Sequence, residues 1–333
     1  MARTLALGPV DGAGLRRALA GSSSAPVWAA LAFIFVAAAL AVGLRGGQFL
    51  TVHNVTDILV RSVALGLVAV GQTFVILAGS LDLSVAYVVS VSAVAASVMM
   101  AGDPALIPLG VACSLAVGLV VGVVNGLVVT KLGVHPFIAT LGMSLVLQGL
   151  IYAAVNDFVG AVPVQFQALA YDGVGPVPFA VLLLGAAVAL AWFTLARTRF
   201  GFHLYAVGGS AQTARLSGIR SHRVVIAAHV ICAAMAAITG LFIVSRLRSG
   251  APWVGTDGAY DLESIAAVVL GGTVLAGGRG GVLGTLAGVL ILAVLDTAFN
   301  QLGVDPFLKS VLRGVILIAA VAISALRVAR SPA

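Results

Sequence analysis

Ten long apolar runs, almost free of charge, constrain this chain of 333 residues more tightly than any other feature. A helix that crosses a bilayer needs about 20 mostly apolar residues, with about 17 as the lower end. Runs of that kind lie at 27–44, 58–78, 84–101, 105–130, 136–155, 177–196, 224–245, 263–276, 281–300 and 307–326. The eighth is short, and the fourth is long enough to be tilted or broken at a glycine, so the expectation is about ten spans within a range of 8–11. The composition agrees, with 61% hydrophobic and 9% charged residues, against about 25% charged in ordinary globular proteins. Eighteen basic and 11 acidic side chains cannot cover a soluble surface of this size, so lipid must cover it. Coiled coils, disordered tails, disulfide scaffolds and soluble enzymes are excluded on that ground. The expected fold class is all-α, a polytopic membrane protein with a weak internal inverted repeat.

The net charge of +7 is a topology signal rather than a nucleic-acid footprint, because no contiguous basic stripe with interleaved aromatics occurs. The segment 197–223 holds Arg197, Arg199, Arg215, Arg220 and Arg223 and no acid, which places it in the cytoplasm. Counting outward, the N-terminus, Lys131, Arg279, Arg327 and Arg330 fall inside, whereas Asp103, Asp157, Asp172, Asp257 and Asp305 fall outside. The expected organisation is a cytoplasmic leader at 1–26 with Arg3, Arg16 and Arg17, one transmembrane domain at 27–326 and a cytoplasmic tail at 327–333. The leader has no small-residue cleavage site and reads as preceding a retained anchor.

Forty glycines suit helices that approach closely in lipid, where no hydrophobic force draws them together. Gly118, Gly122 and Gly126, and likewise Gly280, Gly284 and Gly288, fall on one helix face and predict close packing. A repeat is visible in Leu132-Gly133-Val134-His135-Pro136-Phe137-Ile138 and Leu302-Gly303-Val304-Asp305-Pro306-Phe307-Leu308, offset by 170 residues. The topology puts the copies on opposite sides, as an inverted repeat requires.

Catalytic motifs are missing. No G-x-x-x-x-G-K-[ST] loop and no H-E-x-x-H sequence occurs, and His53, His135, His203, His222 and His229 have no metal spacing and read as packed or interfacial. Cys113 and Cys232 sit inside apolar runs and read as small apolar residues. No cofactor or metal is expected. Ionisable groups near spans are confined to Arg61, Asp82, Glu263, Asp296 and Arg313, and Asp296 alone is placed either deep in the membrane or, equally, near a helix end. So few acids give thin support for ion-coupled transport, and the energy must come from another polypeptide. Asp82 lies in the break Gly79-Ser80-Leu81-Asp82-Leu83-Ser84, where a carboxylate that caps the following helix competes with a gating or solute role.

These residues also carry a resemblance. The stretch from Val75 to Val85, the run Val134-His135-Pro136-Phe137-Ile138-Ala139-Thr140-Leu141-Gly142, the segment around Thr198-Arg199-Phe200-Gly201 and Tyr205-Ala206-Val207-Gly208-Gly209, and the stretch from Asp261 to Thr285 resemble permeases of the ribose/xylose/galactose importer type. The resemblance implies the membrane subunit of an ATP-binding-cassette importer. Its partners would be ATPase subunits on the cytoplasmic side, a periplasmic or lipoprotein solute-binding protein, and a second permease subunit as a homo- or heterodimer. Its place would be the bacterial inner membrane with both termini cytoplasmic. It further implies that Gln212-Thr213-Ala214-Arg215-Leu216-Ser217-Gly218 and Ile219 form the loop that couples to the ATPase, with Leu216 and Ile219 as apolar anchors and Gly218 ending a short helix. The family glutamate and first alanine of that motif are Gln212 and Thr213 here. Polar residues for a sugar pathway or its gate are Asp82, Asn125, Thr140, Ser144, Gln148 and Asn300, with Gln72 and Thr73 also on spans. A cassette permease for branched-chain amino acids or nucleosides, and a secondary transporter, remain the rival readings.

Overall fold

A backbone surrounded by lipid must satisfy its N–H and C=O groups within itself, and each apolar run accordingly forms helix. The computed structural model describes residues 24–330; most of the expected leader, with Arg3, Arg16 and Arg17, and residues 331–333 of the expected tail lie outside the described residues. The long elements are α1 (Ala25–Leu44), α2 (Val52–Leu77), α3 (Val85–Met100), α4 (Ile107–Lys131), α5 (Pro136–Ala154), a short α6 (Val164–Tyr171) and α7 (Phe179–Arg197). After them come α8 (Arg199–Gly209), α9 (Ala211–Leu216), α10 (Ser221–Leu247), a single turn α11 (Val254–Asp257), α12 (Tyr260–Leu270), α13 (Val282–Gln301) and α14 (Pro306–Arg330). A two-residue hairpin, β1 (Gly173–Val174) with β2 (Val177–Pro178), is the one sheet among the described residues.

Local chemistry sets the helix ends. The Thr51 hydroxyl accepts from the Asn54 N–H at 3.1 Å to start α2. Asp103 does the same for Ala105 at 2.8 Å before α4, and Asp305 accepts from Phe307 at 2.8 Å to start α14. Proline opens α5 and α14, where its missing N–H costs nothing.

Seven of the described helices are long and apolar enough to cross a membrane: α1, α2, α4 with the turn before it, α5, α7, α10 and α13. Helix α3 has 16 residues and is shorter. The run expected at 263–276 is not a span-length helix. It is the 11-residue α12, about 16 Å long at 1.5 Å per residue, against a hydrocarbon core of about 30 Å. Gly271 ends it and Gly272, at φ +88°, turns the chain away.

Helices α2 and α10 form the centre, and large apolar side chains on α1, α4, α5 and α7, among them Phe33, Leu40, Val120, Leu145, Leu190 and Phe193, face outward. Helix α4 packs on α10 backbone to backbone. A Cβ at Gly118, Gly122 or Gly126 would lie 2.6–2.7 Å from Ala233, Val230 or Ile226. The register descends along α10 as it rises along α4, so the two run antiparallel.

The loops gather at two ends. At one, Arg45 donates to the Leu302 carbonyl at 3.0 Å, Gly102 to Ala161 at 2.9 Å, and Val159 pairs with Gly250. At the other, Gly278 donates to the Leu77 carbonyl at 3.0 Å, and Tyr205 to the Gly280 carbonyl at 2.9 Å.

Candidate functional site

Helix α2 ends early because Gly79 takes φ +76°, letting Ser80 N–H reach the Val75 carbonyl at 3.0 Å and Gly79 N–H the Ile76 carbonyl at 2.9 Å. That pair of bonds closes a helix end with its carbonyls satisfied. The chain then crosses from α2 to α3 inside the helix bundle and carries Asp82 with it, fully buried at 0% exposure.

Five elements converge on Asp82. The Ser84 N–H and hydroxyl donate to Oδ1 at 2.9 and 2.6 Å. Asn125 of α4 places Nδ2 3.3 Å from Oδ2 and 2.9 Å from the Ser84 hydroxyl. His229 of α10 brings Nδ1 to 3.1 Å from Oδ2, and Nε2 to 3.0 Å from the Ser80 hydroxyl. A carboxylate only accepts, so Nδ1 carries a proton and donates it. Turned to match donors with acceptors, the Gln72 amide of α2 pairs with the Asp82 carbonyl and N–H, both at 3.3 Å. From α5, the Thr140 hydroxyl accepts from Leu83 N–H at 3.1 Å and donates to the Pro136 carbonyl at 2.9 Å. A charge taken out of water needs such compensation on every side. The network closes a seam where α2, α3, α4, α5 and α10 meet. His229 is eight residues from the start of α10, about 12 Å from that helix end.

A second polar feature is open. Helices α2, α12, α13 and α14 enclose a cavity of about 490 Å³. On its wall Arg313 donates to Glu263 at 2.9 Å and to Asp296 at 2.6 Å, so that one guanidinium joins α12, α13 and α14. Asn300 donates to the other Asp296 oxygen at 3.3 Å and accepts from Lys309. Arg61, Asp257, Tyr260 and Phe299 also face this space. Asp296 lies five residues before the end of α13, about 8 Å in from the end where Arg45 meets Leu302.

The third feature is the segment between α7 and α10. Ser210 accepts from Thr213 N–H at 3.2 Å to start α9, and Gly218, at φ +80°, ends it with bonds from Gly218 N–H to Arg215 and from Ile219 N–H to Ala214, both 3.0 Å. Ala214 is buried and Ile219 half-buried against the core, whereas Leu216 is 85% exposed, with Gln212, Thr213, Arg215 and Ser217 exposed beside it. The preceding α8 is anchored at Tyr205, whose burial pushes its pKa up to about 12, so the hydroxyl stays a donor across the neutral range. At Gly208 there is no room for a Cβ, since the Leu77 carbonyl and Gly278 N–H stand against it.

Of the polar residues expected on the pathway, Asp82, Asn125 and Thr140 come together in the buried network. Ser144 is buried one turn along α5, and Gln148 is half-buried a turn further. Asn300 is exposed and belongs to the Arg313 cluster. Of the two readings of Asp296, a deep acid or an acid near a helix end, the second is the one seen, since it lies close to the end of α13. Its side chain is 29% exposed beside Arg313, while Asp82 is completely buried. His229 and Ser80 were not singled out as partners of Asp82. The signal was present, since an acid in a helix break and a histidine inside the run 224–245 each need a partner in lipid. Both cysteines are free, and no group of three or more metal-ligating side chains occurs among the described residues.

The family model described as branched-chain amino acid transport system / permease component matches residues 54–321. The ribose import permease protein of Escherichia coli (strain K12) is 38% identical over 280 residues, covering 82% of this chain and 86% of its own length. The fructose import permease protein of Rhizobium meliloti is 34% identical over 302 residues, covering 87% and 83%. The galactose/methyl galactoside import permease protein of Escherichia coli (strain K12) is 31% identical over 307 residues, covering 85% and 89%. No solved structure matches.

Proposed function

The chain belongs to the branched-chain amino acid transport system / permease component family, and from that premise we propose that it passes a monosaccharide, a pentose or hexose, across the bacterial cytoplasmic membrane in an ATP-driven importer. The observation that carries the sugar assignment is similarity along most of the chain to permeases named for ribose, fructose and galactose. The branched-chain amino acid alternative rests on the family's description alone. ATP is hydrolysed in a partner subunit. A solute-binding protein delivers the sugar from outside, and a second permease subunit completes the pathway.

In this reading the domain at 27–326 crosses the membrane ten times, counting α3, the half-length α12 and α14 as crossings, with the leader at 1–26 and the tail at 327–333 inside. The separation of the loops into two ends supports it. Residues 45–51, 101–103, 157–163 and 248–253 lie at the outer end, and 131–135, 197–223 and 271–281 at the inner one. An inverted repeat is supported by the two repeated heptapeptides. Each follows a long helix, turns at a glycine with φ +69° (Gly133) or +67° (Gly303) and restarts at proline, and they sit at opposite ends. The Ala211–Leu216 helix, with Leu216 projecting, is the contact that takes the ATPase movement. The Asp82 network is the seam that must part or shift for the helices to alternate.

The test is uptake by the permease reconstituted with its ATPase and binding protein in vesicles. Labelled ribose, galactose or fructose is expected to accumulate only with ATP. Accumulation driven by a proton gradient without ATP, or accumulation of leucine in place of sugar, would refute this function.

A further inference from the structure

We propose that the cavity between α2, α12, α13 and α14 is a way-station for the sugar, which binds there through its hydroxyl groups on the outer half of the permease. The inference rests on the importer reading above and assigns it a site. A solute that is neither charged nor apolar needs both donors and acceptors spaced over a surface, because every hydroxyl both gives and takes a hydrogen bond. The lining supplies that mixture. Arg313 is already neutralised by Glu263 and Asp296, which fixes its plane and leaves Glu263 Oε2 without a partner among the described residues. Arg61 and Asp257 likewise make no ion pair among the described residues, although both face the space. Tyr260 and Phe299 add aromatic surface for the C–H face of a sugar ring. A cavity of about 490 Å³ falls within the range of about 300–1,000 Å³ of small-molecule sites. Its acids and bases nearly balance, which suits a neutral polyol. It shares only α2 with the Asp82 network, lined there by Arg61, Ser62 and Leu65, whereas Gln72 further along α2 reaches Asp82, so a sugar is received here while the inner seam stays closed.

The experiment uses the complete transporter in vesicles, with saturating sugar-loaded binding protein, and reads sugar moved per ATP hydrolysed. Arg61→Gln leaves the Arg313 cluster intact, and Glu263→Gln keeps its shape. Each is expected to lower the ratio about tenfold, the size expected for one hydrogen bond to a charged group, while binding-protein-stimulated ATPase stays within about twofold. An unchanged ratio would overturn the site, and so would a parallel fall in transport and ATPase, which marks mere structural damage. A second readout needs no activity. A cysteine placed by Ser310→Cys on the cavity wall is expected to react with a maleimide several-fold more slowly in ribose or galactose than in buffer. Equal rates would overturn the site. If wild-type vesicles move leucine and no sugar, the importer reading fails and the polyol assignment with it; normal sugar transport by both variants sinks the site alone.

Discussion

His229 and Asp82 are not equivalent members of their pair. Replacing His229 by Phe leaves a carboxylate buried without its strongest partner, and breaking a buried pair from one side costs about 3–5 kcal/mol. Asp82→Asn removes the charge and keeps much of the shape, so the loss should be smaller. Thermal unfolding of the purified complex is expected to rank wild type, then Asp82→Asn, then His229→Phe; the reverse order of the two variants would contradict the geometry. A contrast is available at Thr297, whose hydroxyl is the one buried side-chain polar atom without a partner among the described residues. Thr297→Val should leave stability unchanged or raise it by about 1 kcal/mol, because an orphaned hydroxyl gains nothing from burial. At this scale the sequence was informative about which residues matter and silent about which meet. Asp82 stood out because a charge in a helix break is conspicuous. Its partner lies 147 residues away on another helix. Arg313 and Glu263, 50 residues apart, were each noticed singly for the same reason.

For helices, glycine position separates packing from mere composition. Gly122 on α4 lies against the α10 backbone, whereas Gly149 on α5 has no atom within 4 Å of where a Cβ would stand. Gly122→Ile should therefore destabilise the fold by about 1–3 kcal/mol through overpacking, and Gly149→Ala should be neutral or favour the helix by up to about 1 kcal/mol. Melting temperatures of the two variants test this, and equal tolerance would count against the α4–α10 contact. On α9, Leu216→Asp changes an exposed side chain and should leave folding intact while reducing binding-protein-stimulated ATPase at least tenfold. Full stimulation would remove α9 from the coupling path. The i, i+4 glycine pattern makes the α4 face legible in the sequence. The shortness of the eighth run is visible in the sequence, but the end of α12 at Leu270 is not, because the apolar run continues through Gly271 and Gly272 to Ala276, and hydropathy does not register where the backbone turns back.

Across the whole molecule, the surface between the two ends consists largely of outward-facing Leu, Val, Ile and Phe, and the charges collect near the ends or in the two clusters described. A reporter that is active only in the cytoplasm should work when inserted after Thr213 and fail after Asp157; the opposite result would invert the proposed orientation. Hydropathy makes the apolar surface between the ends legible in the sequence, since it depends on the water–lipid partition and not on tertiary packing, and the arginine-rich segment is the ground of the proposed orientation. The way the helices cross did not follow from them, because it is set by backbone approach at individual glycines. The contact at Gly208 has a mechanical consequence. With the Leu77 carbonyl and the Gly278 N–H already touching it, the linkage from α8 to the end of α2 has no backlash. A shove on α8 is handed to the central helix from its first fraction of an ångström, as by a pushrod seated against its cam.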